Sequence, residues 1–160
     1  MSELRIGLGV DAHALEAGVP LVLGGVAIEH PGGLAGHSDG DVISHALTDA
    51  LLGAAGLGDI GSLFPSDDGR WHGADSLDLL RDAYARVTAA GYVLVNADCV
   101  LVGEEPRIAS YREEMRARLA SALGVEPERV NVRATTTDRL GFTGRGEGLA
   151  AEAVALLERR

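Results

Sequence analysis

The sequence contains no lysine; all 14 of its basic residues are arginine. Pyridoxal phosphate enzymes, Schiff-base aldolases and P-loop ATPases each depend on a lysine amine, so composition alone excludes these three classes. Cysteine is nearly as scarce. The single Cys99 can form no internal disulfide and no multi-cysteine zinc site, the pattern of a cytoplasmic chain. No apolar run reaches the roughly 18 residues that a membrane helix needs, and no signal segment is evident, so neither membrane insertion nor export is expected. Positive charge is also short, 14 basic against 24 acidic residues for a net charge of −10. With no basic patch to offset it, that charge repels nucleic acid and anionic membrane surfaces. A phosphate-bearing ligand must therefore be held locally, by metal, arginine or backbone N–H groups.

What is present is an ordinary globular composition, 46% apolar and 24% charged, over a length that suits one domain, residues 1–160. Residues 3–13 alternate and predict a strand, and residues 21–28 predict a hairpin turning at Gly24 and Gly25. A glycine-rich loop at 31–36 leads into a helix predicted over 41–57. Asp41 or Asp39 is placed to cap it, and Val42, Ala46, Leu47, Ala50, Leu51 and Ala54 form its apolar face. Further helices are predicted over 75–90, 111–123 (stopped by Gly124) and 148–157, with strands over 92–102 and 130–134. The early hairpin favours an α+β class over α/β.

Chemistry concentrates in the first third. On a strand, Asp11 and His13 point to one face, and His45 on the following helix can supply a third ligand. Two imidazoles and a carboxylate suit Zn²⁺, and three protein ligands leave one position open to a substrate oxygen. Asp41, His45 and Asp49 fall at i, i+4 and i+8, so a carboxylate one turn away on either side is placed to orient the imidazole. Singly, Asp41 reads as a helix cap and His37 as a loop residue; together with His13 and His45 in glycine-rich surroundings they read as a site. Gly7, Gly9 and Ala12 match a dinucleotide-binding spacing, but Gly18 and Pro20 leave too few residues for the helix it requires.

Two later stretches look able to hold an anion. Residues 57–65 close the first long helix, and their plain alternative is a helix stop at Gly58. Thr135, Thr136, Thr137 and Asp138, followed by the glycine-rich run 141–148 with Arg145, place hydroxyls, a carboxylate and a guanidinium before a predicted helix N-terminus. Their plain alternative is a strand end and a flexible turn.

Taken together, these motifs resemble the 2-C-methyl-D-erythritol 2,4-cyclodiphosphate synthase family of the non-mevalonate isoprenoid route. The resemblance runs nearly end to end, through Asp11-x-His13, the run Gly36-His37-Ser38-Asp39-Gly40-Asp41, His45 to Asp49, Asp59-Ile60-Gly61 with Phe64-Pro65, and Thr135 to Gly148. It implies a homotrimer around a three-fold axis with active sites between neighbouring subunits. Each subunit would be a two-layer α+β sandwich, a mixed sheet with helices on one face. The implied substrate is 4-diphosphocytidyl-2-C-methyl-D-erythritol 2-phosphate, cyclised with release of CMP.

By the same resemblance, Asp11, His13 and His45 hold Zn²⁺, and a second ion, Mg²⁺ or Mn²⁺, lies at Asp138, where the family carries a glutamate one methylene longer. His37 and Thr136 match transition-state stabilising positions. Ser38, Asp59, Ile60, Gly61, Phe64 and Asp68 match contacts to the methylerythritol phosphate. The cytidine would lie against Gly103, Pro106, Arg107, Ala109, Thr135 and Thr137. Phe142, Arg145 and Glu147 match residues near the trimer axis, where some relatives bind an isoprenoid diphosphate. Two rival functions are a metal-dependent phosphohydrolase using Asp49 or Asp59 as base, and a non-catalytic trimer that binds a nucleotide or prenyl diphosphate.

Overall fold

In the computed structural model, which describes residues 2–160, the first strand, β1 (Leu4–Ala17), runs four residues beyond the predicted end. Its Gly7, Gly9, Asp11 and His13 turn toward the helices, while Ile6, Leu8 and Val10 face outward, as period-two alternation requires. The predicted hairpin forms from β2 (Leu21–Leu23) and β3 (Val26–Ile28), and β4 (Gly32–Leu34) pairs with the end of β1. Then come α1 (Val42–Ala55), the one-turn α2 (Ile60–Leu63) and α3 (Ser76–Ala89). The second half runs β5 (Tyr92–Val102), α4 (Arg112–Leu123), β6 (Val130–Thr135), the one-turn α5 (Gly141–Gly144) and β7 (Gly148–Arg159).

Five strands form a mixed sheet in the order β4-β1-β7-β5-β6, with β5 and β6 parallel and the other pairs antiparallel. The class is α+β. Asp41 caps α1 through the Ser44 N–H (3.1 Å) and also accepts from the N–H groups of Gly24 and Gly25 (2.9 and 2.7 Å), tying the hairpin to the helix start. Gly56 and Gly124 end α1 and α4 in left-handed conformations. No helix among the described residues is long and apolar enough to cross a membrane.

The predicted helix over 148–157 is instead strand β7, lying between β1 and β5. Its alanines and leucines have high helix propensity, which misleads. Yet Leu149, Ala151, Ala153, Ala155 and Leu157 are all buried and recur every second residue, with Glu152 and Val154 on the other side. A ladder of partners on both edges outweighs the local preference.

Gly7 and Gly9 serve packing rather than a dinucleotide. A Cβ on Gly9 would overlap the Ala46 carbonyl oxygen, and one on Gly7 the Ala50 carbonyl oxygen. Their bare backbone lets α1 lie directly on β1, and that approach brings His45 over Asp11. The sheet's other face stays open among the described residues: Ile6 is 72% exposed, and Leu8, cross-strand from Val154, is also exposed with it.

Candidate metal centre and substrate cavity

Asp11 and His13, two residues apart on β1, meet His45 from the first turn of α1. The Asp11 Oδ2 atom lies 2.8 Å from His13 Nε2 and 2.9 Å from His45 Nδ1, and those two nitrogens are 3.4 Å apart. One ligand atom from each residue falls within 4.8 Å of the others. Three lone-pair donors at such separations repel unless protons or a cation sit among them. Burial would raise the Asp11 pKa, but hydrogen bonds from His13 and His45 outweigh it and lower the value to about 2. The His13 pKa is raised, first by its bond to Asp11, against the opposing effect of burial. The donor set, two imidazoles and a carboxylate, fits Zn²⁺.

The orientation of His45 comes from hydroxyls, not from the carboxylates predicted one helical turn away. Its Nε2 lies 2.7 Å from Ser76 Oγ and 3.0 Å from Ser38 Oγ. Ser76 donates its own proton to Asp39 Oδ1, so its lone pairs face the ring. With a metal ion among the three ligand atoms, His45 Nε2 would carry the proton, directed at Ser76, and Nδ1 would offer its lone pair to the ion. Asp41 is consumed by its caps. Asp49 accepts the Ile60 N–H at 2.7 Å, which fixes α2 to α1, and burial raises its pKa.

A cavity of about 570 Å³ opens in front of the triad. Its polar lining includes Asp11, His13, His37, Ser38 and His45, and its apolar lining Ile60, Phe64, Trp71 and Leu79, together with Gly61. His37 donates to the Asp68 carbonyl at 3.4 Å and meets the His72 ring edge-on at 5.2 Å. Asp59 and Asp68 do not line this wall. Asp59 caps α2 through the Ser62 N–H (2.8 Å), and both Asp68 oxygens are taken by Arg70 (2.6 Å at the closest). Asp67 lines the cavity instead. Sequence reasoning missed Ser76, Trp71 and Leu79, which lie well beyond the His37 to Asp49 stretch and carry no motif of their own.

The second cluster forms elsewhere. Thr135 ends β6 opposite Val102, whose loop begins with Gly103 donating to the Thr135 carbonyl at 3.0 Å. Asp138 donates its N–H to Thr136 Oγ1 at 3.3 Å, and Thr137 Oγ1 bonds the Leu140 carbonyl at 2.7 Å. Pro106 and Arg107 continue the loop after β5, and Ala109 opens the 3₁₀ turn that follows. Arg145 pairs with Glu147 at 2.7 Å, and Phe142, 43% exposed, lies beside Ala12 and His13. The helix predicted after the threonines is only α5, one turn long and without a side-chain cap.

Both clusters lie at the same end of the sheet, but β7 and β5 stand between β1 and β6. Three strand spacings of about 4.8 Å put His13 and Thr135 about 14 Å apart. The cavity in front of the triad accordingly contains none of Thr135 to Asp138 and none of Gly103 to Ala109. Neither Asp49 nor Asp59, the carboxylates a hydrolytic reading needs as base, is among the residues that line this cavity.

The 2-C-methyl-D-erythritol 2,4-cyclodiphosphate synthase of Moorella thermoacetica is 59% identical over 154 residues, 96% of this chain and 94% of its own. A solved 2C-methyl-D-erythritol-2,4-cyclodiphosphate synthase in a CDP-bound form has a TM-score of 0.87 at 42% identity, covering 96% of this chain and 99% of that one. The bifunctional IspDF of Campylobacter jejuni has a TM-score of 0.96 at 42% identity over 100% of this chain, which spans 43% of that longer protein. The YgbB family model matches residues 4–158. By sequence, fold and the extent of both matches, the chain belongs to the YgbB family.

Proposed function

We infer that the chain converts 4-diphosphocytidyl-2-C-methyl-D-erythritol 2-phosphate to 2-C-methyl-D-erythritol 2,4-cyclodiphosphate and CMP, the isoprenoid-precursor reaction whose product gives its relatives their name. The observation that carries this reading is the convergence of Asp11, His13 and His45 in a cavity that is also lined by Ile60, Phe64, Trp71 and Leu79. Asp11, His13 and His45 are the Zn²⁺ ligands, and Asp138 contributes to a second site for Mg²⁺ or Mn²⁺. When bound, the two ions supply Lewis acidity and charge neutralisation on the diphosphate.

An oxygen of the 2-phosphate attacks the β-phosphorus, a new P–O bond closes the ring, and the bond to the α-phosphate oxygen breaks, so CMP leaves with that oxygen. Both reacting groups belong to one molecule, so the protein's part is to hold them in line and balance their charge. His37 and Thr136 donate hydrogen bonds to phosphoryl oxygens. Ser38, Ile60, Gly61 and Phe64 hold the methylerythritol phosphate, with Asp59 and Asp68 at the rim. Gly103, Pro106, Arg107 and Ala109 supply backbone to the cytosine, and Thr135 and Thr137 shape the same loop.

Each active site joins the triad of one subunit to the threonine loop of the next, in a homotrimer whose sheets face a three-fold axis. Two features support this: the wide gap between the clusters within one chain, and the exposed apolar stripe of Ile6, Leu8, Val10 and Val154, a surface of the kind that associates. The whole chain acts as one domain. Exposed Leu140 and Phe142 with Arg145 suit an isoprenoid diphosphate at the axis. A cytoplasmic setting accords with the lone buried Cys99.

Incubation with the cytidyl substrate, Zn²⁺ and Mg²⁺, followed by phosphorus NMR, tests the reading. Cyclic diphosphate and CMP should accumulate together. Free phosphate in their place would mean hydrolysis, and tight CMP binding without turnover would mean a binding module.

A further inference from the structure

Asp138 and Arg139 are the only non-glycine residues with positive φ among the described residues, at 52° and 65°. L-residues rarely adopt this conformation, and two in succession need something to hold them. Part of the restraint is backbone: Leu140 donates to the Thr137 carbonyl at 3.0 Å, and Gly144 packs so close that a Cβ there would overlap the Arg139 backbone. The Arg139 N–H itself is donated to Glu104 Oε1 at 2.9 Å. Glu104 comes from the loop after β5, 35 residues earlier, next to Gly103, which already bonds the Thr135 carbonyl.

We propose that Glu104 is a positioning residue: its carboxylate pins the left-handed Asp138–Arg139 pair and so couples the loop after β5 to the threonine loop. Resting on the proposed function, this makes Glu104 the side-chain link between the cytidine contacts and the Thr136 and Asp138 groups that face the diphosphate. The carboxylate touches neither. Without it, the Arg139 N–H turns to water and the pair relaxes toward commoner backbone conformations, leaving a fraction of subunits with the loop preformed. Apparent affinity falls in proportion to that fraction, while bound substrate restores the loop and the rate at saturation is kept.

The test compares the parent with Glu104→Ala and Glu104→Gln, once thermal unfolding and oligomer mass show that each variant folds and assembles alike. Glu104→Ala should raise both the KM for the cytidyl substrate and the Kd for CDP by about ten-fold, as expected for a lost charge-assisted hydrogen bond at a partly exposed site, with kcat within about two-fold. Amide hydrogen exchange over residues 136–142 should quicken. Glu104→Gln keeps an acceptor oxygen but loses the charge assistance, so its shifts should be smaller, about three-fold or less. Equal shifts in both variants would mean that the charge of Glu104 matters and not its hydrogen bond, and would overturn the proposal. Unchanged affinity and exchange in Glu104→Ala, or a fall confined to kcat, would overturn it as well. A parent that neither turns over nor binds CDP would sink the functional reading instead, and the exchange comparison alone would still decide whether Glu104 holds the loop.

Discussion

At the β1 end of the sheet, Asp11, His13 and His45 are partly or wholly buried, and the ring of His45 is held on both nitrogens by groups of its own chain. At the β6 end, Thr135, Thr136 and Asp138 are exposed, restrained by the Gly103 N–H on the Thr135 carbonyl, by Thr136 Oγ1 on the Asp138 N–H and, at the adjoining Arg139 N–H, by one carboxylate from a neighbouring loop. The first cluster is assembled by the fold of one subunit: glycines on β1 admit α1, α1 carries His45, and Ser76 on α3 holds its ring in place. The second is a presented surface. Metal capture should therefore be a property of the chain, and catalysis a property of the assembly.

Substitutions at four positions probe that contrast, in falling order of effect. His45→Ala removes a ligand while keeping a good helix former, so α1 should persist, zinc content should fall below about a tenth of parental, and activity should drop by about a thousand-fold or more. Atomic absorption and steady-state assay read both. Gly9→Ala forces a methyl into the Ala46 carbonyl, so α1 must shift; denaturant unfolding should show a loss of about 3 kcal/mol, with weakened zinc binding because His45 moves with its helix. Parental stability here would mean that α1 and β1 have slack that the close approach does not suggest.

Thr136→Ala should lower kcat by about a hundred-fold, the scale of one lost donor to a transition-state oxyanion, with zinc content and melting temperature unmoved. Zinc loss in that variant would contradict the separation of the two clusters. The mildest change is at Asp138. Asp138→Asn should raise the Mg²⁺ concentration for half-maximal rate by about ten-fold, and Asp138→Glu should lower it or leave it alone, both with parental zinc. An unchanged Mg²⁺ dependence in Asp138→Asn would remove this residue from the second metal site.

The contrast also explains what could be read in advance. The Asp11, His13 and His45 cluster was legible because each residue sits on an element whose periodicity shows which way it points. The helices α1, α3 and α4, the strand β5 and the hairpin were legible for the same reason. Strand β7 was not, because alanine serves equally in a helix and under one, and only its place between β1 and β5 decides between them. The orientation of His45 was misjudged because helical spacing proposes Asp41 and Asp49 as neighbours, whereas each carboxylate is satisfied by backbone N–H groups nearer to it. Ser76 could not be found by spacing at all: it reaches His45 across 31 residues through the packing of α3 on α1.

The most direct measurement is a mixing experiment between two inactive proteins. His45→Ala and Thr136→Ala chains are unfolded together, refolded in equal amounts and assayed, with mixed trimers confirmed by native mass. If each site takes its triad from one subunit and its threonine loop from the next around a cyclic trimer, every mixed trimer carries one intact site, and about one quarter of parental activity should return. Mixed trimers that stay inactive would contradict the account, because each chain would then have to supply both halves of its own site.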